Sequence, residues 1–363
     1  MLYNMVGLPV FRHVLKPNLG SARAAVGCFG LCRWGRPGPS DCRRVHGEVS
    51  RGKLVCYELQ HRALLKVQGQ DTAAFLQGLM TNDIHLLTQA GQGALYAHML
   101  NVQGRTLFDI MLYSLKETQG TETSVLLECD STLSESVQRH LKMYKIRRKV
   151  TISACAQLVL WAVLPQHREG SSEDVRPELA SPDNALVIQR DPRTEAMGWR
   201  LVVDREVSPL EVMKSCQQGE PEEYHRHRYT IGVPEGARDL PPGSPLPLEA
   251  NLVYMQGISF AKGCYIGQEL TARTHHTGVV RKRLMPVCLT AADGQSPPGG
   301  APLVTQSGKP AGKHQSTLGD RGLSLVRLAH AKEPLMFKAP DGTLVTLEAS
   351  VPDWWPKDRK DTF

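Results

Sequence analysis

The chain has 363 residues, 41% of them apolar and 22% charged, with a formal net charge of +7. That length predicts about two domains. The 32 glycines and 24 prolines fit a loop-rich globular protein, and the composition excludes collagen-like, coiled-coil and wholly disordered chains. No uninterrupted apolar stretch is long enough to span a bilayer. The positive charge is not spread out. Residues 1–47 hold seven basic side chains against one acid, Asp41, which leaves 36 basic and 35 acidic side chains for the remainder. The globular part is therefore close to neutral, and nucleic acid is not the expected partner. An Arg-bearing, nearly acid-free start with Ser and Ala reads as a mitochondrial transit peptide or a disordered leader, and so places the protein in the mitochondrial matrix. Nine cysteines follow no CxxC spacing or short framework rhythm. They are expected to be reduced thiols, most of them small buried hydrophobes.

The globular part is expected to start near Val55. Ala63 to Val67 reads as a strand, and Asp71 or Thr72 caps a helix through Phe75, Leu76 and Leu79 that stops at Thr81-Asn82-Asp83. Gly93 to Leu100 and Thr106 to Leu115 are strands joined by a tight Asn101–Arg105 turn. Ser124 to Cys129 is a further strand. A helix follows from the Asp130-Ser131-Thr132 caps through Leu133, Val137 and Leu141. It ends on Lys142, Lys145, Arg147, Arg148 and Lys149. Cations there complement the helix dipole, and a phosphate or polyglutamate site is the second reading. Val150 to Val163 supplies one or two strands broken near Cys155. Residues 165–195 are polar and read as a surface insertion or mobile loop. Met197 to Asp204 is a strand, and Pro209–Cys216 and Pro221–Arg228 are short helices. From Arg283 onward, short apolar runs alternate with Gly/Pro turns, which suits a small antiparallel barrel or sandwich. The expected division is a leader at 1–47, a principal body at 48–282 and a C-terminal barrel-like domain with tail at 283–363.

The segment that carries chemistry is Lys262-Gly263-Cys264-Tyr265-Ile266-Gly267-Gln268-Glu269. Gly263 and Gly267 allow left-handed geometry or close backbone approach. Gln268-Glu269-Leu270 reads as the first turn of a helix, which would aim free N–H groups at Cys264. With Lys262 nearby, both would favour a thiolate, the form that ligates metal or attacks an electrophile. Local physics leaves two readings open: an inert buried cysteine, or a reactive thiolate. His275 and His276 could add ligands, but adjacent histidines on regular structure point different ways.

These residues resemble a known signature. Lys262 to Glu269 is similar to the K-G-C-Y-x-G-Q-E motif of the YgfZ-type proteins, relatives of the aminomethyltransferase (T-protein) of the glycine cleavage system. Phe75 to Asp83, the hairpin from Leu100 through Asp109 to Tyr113, Gly232 to Gly236 and Pro247 to Leu252 resemble further segments of that family, in order. The resemblance runs over roughly residues 55–350. It implies an α+β, GcvT/YgfZ-like folate-binding fold with antiparallel sheets, helices and the C-terminal barrel. With the leader, it implies a mitochondrial iron–sulfur cluster assembly factor, acting late in [4Fe-4S] maturation and linked to heme biosynthesis. The implied partners are A-type scaffold or carrier proteins and clients such as aconitase and lipoate synthase.

Cys264 is the expected metal ligand, and with no second cysteine at ligand spacing the cluster would be shared and transient, because clusters want about four ligands. Lys262 would tune the thiolate, Gly263 and Gly267 shape the turn, and Gln268 and Glu269 cap the helix beside Tyr265. The resemblance also implies tetrahydrofolate as a cofactor, with Asp109, Arg105 and Glu249 as its candidate contacts. Phe108-Asp109 stands where the aminomethyltransferases carry an acidic pair. The missing acid counts against aminomethyl transfer, which needs a placed carboxylate, so a non-catalytic factor is favoured over a folate-dependent transferase or demethylase. A tRNA-modification factor is the third reading; it rests on the basic cluster alone and predicts salt-dependent RNA binding.

Overall fold

The structure, a computed structural model, describes residues 54–89, 92–115, 123–166, 176–290, 296–339 and 341–357; the expected leader lies outside them. Two five-stranded sheets and a closed barrel account for the strands. The strands of the first two sheets are β1 (Leu54–Glu58), β2 (Arg62–Gly69), β3 (Ala94–Leu100), β4 (Thr106–Ser114), β5 (Thr123–Asp130), β6 (Thr151–Ala154), β7 (Leu158–Pro165), β8 (Ala185–Arg190), β9 (Trp199–Asp204) and β10 (Cys216–Gln218). Their orders are β10-β1-β7-β9-β8 and β3-β4-β5-β2-β6. Pairing is antiparallel except between β1 and β10. The helices are α1 (Thr72–Gln77), α2 (Ser134–Tyr144), α3 (Pro209–Val212), α4 (Pro221–Ile231), α5 (Gly236–Asp239) and α6 (Gln268–Thr277).

Strand alternation sorts the side chains into layers, because successive residues point to opposite faces. On the second sheet, Leu95, Ala97, Met99, Ile110, Leu112, Val125 and Leu127 pack outward with Leu76 of α1 and Val137 and Leu141 of α2. On the first sheet, Leu54, Cys56, Trp161, Leu201 and Val203 pack on Val212. The opposite faces meet between the sheets through Tyr57, Leu64, Tyr96, Met111, Tyr113, Leu126 and Val202. Arg62, Asp109, Glu128 and Arg200 are buried as well, and each sits at the strand phase of that inter-sheet layer.

The barrel joins β11 (Lys282–Thr290), β12 (Pro302–Thr305), β13 (Pro310–Leu318), β14 (Arg321–Arg327), β15 (Leu335–Lys338) and β16 (Leu344–Ala349) in the order β11-β14-β13-β12-β15-β16. Met285, Val287, Leu303, Val326, Leu335 and Leu347 belong to its core.

Five expectations change. The helix expected at Pro209–Cys216 ends at Val212, and Cys216 opens strand β10. The first helix stops at Gln77, where Gly78 takes over, not at Thr81. The polar stretch ending at 195 contains β8, which pairs with β9 and sends Val187 into the interior. A further strand, β13, forms where no apolar run marks one, since its sequence, Pro-Ala-Gly-Lys-His-Gln-Ser-Thr-Leu, has little apolar content. The cysteines are not all free: Cys56 and Cys216 form a disulfide between neighbouring strands β1 and β10. Cys129 and Cys155 are free and buried, as expected of small hydrophobes.

Candidate functional site

Two sequence segments, residues 77–82 and the Asn101–Arg105 turn, converge on the distant loop that carries Cys264. The Asn101–Arg105 turn is tight because the Asn101 Oδ1 accepts the N–H groups of both Gln103 and Arg105. Gly104 at its end has φ +78°, and Gly267 in the cysteine loop has φ +77°. A Cβ on Gly267 would lie 2.2 Å from the Asn101 carbonyl oxygen, and one on Gly104 would lie 2.9 Å from the Gly267 carbonyl oxygen. The two backbones therefore touch, and only glycine permits both the dihedral and the approach.

The loop is pinned on the other side by residues 77–82. Lys262 Nζ donates to the carbonyl oxygens of Gln77 (2.7 Å), Met80 (2.7 Å) and Asn82 (2.8 Å). It also lies 5.0 Å from the Tyr265 ring centroid. Burial lowers its pKa to about 8, against the pull of Asp83. The Ile266 N–H donates to the Gly78 carbonyl, and the Ser259 N–H to the Thr81 carbonyl. Asn82 Nδ2 reaches the carbonyls of Tyr96 and Gln256, and Thr81 Oγ1 donates to that of Gly257. Gln268 Oε1 accepts the Tyr265 N–H and closes the start of α6.

Cys264 stands on this anchored loop, exposed and free. The inert buried reading is thereby overturned. The expected role of Lys262 changes too: its ammonium is engaged with three carbonyls, so it fixes the loop. A Cβ added to Gly263 would meet nothing within 4 Å, and this glycine needs no left-handed dihedral. Glu269 is exposed in the first turn of α6. On the last turn, His275 stacks on Phe260 with centroids 3.6 Å apart, and His276 meets the same ring edge-on at 6.1 Å. Among the described residues, no group of three or more His, Cys, Asp or Glu side chains is placed to hold a metal ion.

The three folate candidates do not share one environment. Asp109 is buried between Arg62 Nη1 (3.1 Å) and the Gly236 N–H (3.2 Å). Burial pushes its carboxyl up, partly offset by Arg62. Arg105 is not its partner; its Nη1 donates to the Ser244 carbonyl at 2.6 Å. Glu249 lines a cavity of about 250 Å³ with Leu246, Leu270, Thr271 and Lys282. Burial raises its pKa, against the pull of Lys282 and Arg105.

Sequence reasoning missed the charged layer behind Asp109. Glu235 Oε2 lies 2.7 Å from Arg193 and 2.8 Å from Arg200. Its other oxygen meets His61 Nε2 at 2.7 Å. Asp191 binds Arg193 at two points and Arg200 at 3.2 Å. Arg62 joins Glu128 at 2.7 Å, and Tyr113 donates to Glu128 at 2.5 Å. Burial alone would raise Glu235, but the Arg193 and Arg200 guanidiniums hold it well below the carboxylate range. A signal existed: single charges inside apolar strands, as in Leu-Phe-Asp-Ile-Met and Trp-Arg-Leu-Val-Val, all on one strand phase.

Comparison with known proteins gives a consistent pattern. Residues 281–357 match the family model for the CAF17 C-terminal beta-barrel domain. The chain is 46% identical over 340 residues to the mitochondrial iron–sulfur cluster assembly factor IBA57 of Homo sapiens, covering 89% of this chain and 94% of the relative. It is 49% identical over 315 residues to the Mus musculus protein of the same name, covering 84% and 87%. A homologue from Mycosarcoma maydis is 32% identical over 402 residues, covering 97% and 96%. Among solved structures, the glycine cleavage system aminomethyltransferase T of Bartonella henselae matches with a TM-score of 0.64 at 16% identity, covering 84% of this chain and 87% of that one. That likeness shows the fold, with its antiparallel sheets and C-terminal barrel, and nothing about activity.

Proposed function

This chain belongs to the IBA57 family of mitochondrial iron–sulfur cluster assembly factors, and from that premise we propose that it acts late in [4Fe-4S] protein maturation. In this reading Cys264 contributes one thiolate to a cluster shared transiently with an A-type scaffold protein. The observation that carries the proposal is the placement of Cys264: an exposed thiol on a loop fixed by Lys262, Ile266 and Gly267. A rigid loop lowers the ordering cost of ligation. The thiol releases its proton to solvent as its sulfur donates an electron pair to iron; the cluster is cargo, and the partner's thiolates complete its ligand set. Clients such as aconitase and lipoate synthase would then receive the cluster.

The chain acts here as a non-catalytic assembly factor on a transferase-like fold. The engagement of Asp109 with Arg62 and the Gly236 N–H argues against a free carboxylate at that position for proton handling on folate. The other candidate contacts of a tetrahydrofolate are Arg105, which donates to the Ser244 carbonyl, and Glu249 beside the cavity.

The test loads the full chain beside an A-type scaffold with iron and sulfide under anaerobic conditions. Visible absorption and Mössbauer spectra are recorded for wild type and Cys264→Ser. The cluster signal of the mixture is expected to be lost or altered in the variant. Identical spectra would remove Cys264 as a ligand.

A further inference from the structure

The end of α2 and the turn after it form a surface that cluster handling leaves unused. Residues 142–149 read Lys-Met-Tyr-Lys-Ile-Arg-Arg-Lys, with five cations and no acid. Met143, Tyr144 and Ile146 are 59%, 37% and 77% exposed. The helix dipole accounts for cations within the last turn. It does not account for Arg147, Arg148 and Lys149 beyond the helix, nor for three exposed apolar side chains among them. No carboxylate pairs with Lys142, Lys145, Arg147 or Arg148 among the described residues.

The turn is also held in place. Val137 and Leu141 bury the other face of α2. The Lys149 N–H donates to Asp71 Oδ2 at 2.8 Å, and its carbonyl accepts the Asp71 N–H. Arg147 has φ +59°, a left-handed conformation that disfavours a side chain with a Cβ. The chain keeps an exposed cation there, where glycine would be less strained.

We propose that residues 142–149 dock the protein on an anionic phospholipid surface. Lys and Arg meet headgroup phosphates, while Met143 and Ile146 enter the boundary of the acyl region. Interleaved cations and large apolar side chains suit such a layer. A single-stranded nucleic acid would want several free aromatic faces, and the one aromatic here, Tyr144, already lies against His140 at 4.9 Å. Because residues 48–363 are almost neutral in sum, the attraction is local and sets one orientation on the surface. This proposal stands apart from the cluster reading and does not depend on it.

The test is co-sedimentation of the full chain with vesicles of 80:20 phosphatidylcholine and cardiolipin, against pure phosphatidylcholine. Wild type is expected on the anionic vesicles only, and less so as salt rises. K145E/R148E should lower the partition by at least about 30-fold, since the two lost cations alone are worth roughly fivefold each and the two new carboxylates repel the surface, and I146D by about tenfold. R147G should bind more weakly while melting no lower than wild type, which separates docking from folding. The basic leader is common to every variant, so differences between them report on the turn. Equal partition for wild type and variants would overturn the proposal. So would wild type that stays off the anionic vesicles, and so would loss in K145E/R148E with none in I146D, which would mean that Ile146 does not enter the layer and that the contact is charge alone.

Discussion

Lys262 and Cys264 are two residues apart and do different work. The lysine's three carbonyl partners all belong to residues 77–82, so its loss would remove one of the loop's anchors to the segment that follows α1. Lys262→Met is expected to lower stability by about 2 kcal/mol, the scale of a lost charge-assisted hydrogen-bond set. Cys264→Ser, at an exposed position, should leave stability within about 0.5 kcal/mol of wild type. Urea denaturation midpoints check both. Equal midpoints for Lys262→Met and wild type would mean that the loop does not rely on this anchor. The motif was legible in the sequence as a cysteine flanked by glycines and a lysine. That the lysine serves the backbone was not, because its partners lie about 180 positions away.

At the scale of elements, the contact between the Asn101–Arg105 turn and the cysteine loop sets the site. Gly267→Ala would force a Cβ to 2.2 Å from the Asn101 carbonyl at φ +77°, which requires one segment to move. A loss of about 2 kcal/mol or more is expected, with weaker cluster loading on Cys264. Gly263→Ala meets open space and is expected to be tolerated. Thermal melts and the absorption assay together would show it, and equal tolerance of both substitutions would mean that the two backbones are not locked. The sequence marked both glycines but could not rank them, since neither turn type nor clearance is visible in spacing. Strands behaved similarly. Apolar runs such as Gly93–Leu100 and Met285–Leu289 announced themselves, whereas β10 and β13 exist because a neighbouring strand offers them a ladder. Tertiary pairing outweighs weak local propensity in such cases.

For the whole molecule, the inter-sheet layer buries titratable groups among its apolar side chains, and these should make stability depend on pH. His98 is fully buried and bonded at both ring nitrogens, to Thr106 Oγ1 and the Tyr96 hydroxyl. Burial lowers its pKa to about 3, against about 6.5 in the unfolded chain. Between those values the unfolded state holds a proton that the folded state lacks, so stability rises with pH across that window and is flat above it. His314 and His225, lowered to about 4 chiefly by burial, act in the same sense. Asp109, raised by burial, acts in the opposite sense. Going from about pH 7.5 to about pH 5 should cost about 2 kcal/mol through His98 alone. Denaturation at the two pH values, with His98→Gln as the variant lacking this group, checks it. A variant whose stability falls as steeply as wild type would contradict the assignment.

The amino-acid sequence by itself determined the antiparallel strand rhythm, the separate basic start, the C-terminal barrel pattern and the cysteine motif. Each of these is written in composition or in spacing along the chain. Only the tertiary structure decided that Cys264 is exposed, that Lys262 holds backbone carbonyls, that Asp109 belongs to Arg62, and that Cys56 meets Cys216. Those outcomes depend on which distant groups the sheets bring within hydrogen-bond or bonding reach. Burial then fixes the charge state of each group by the partners it finds there.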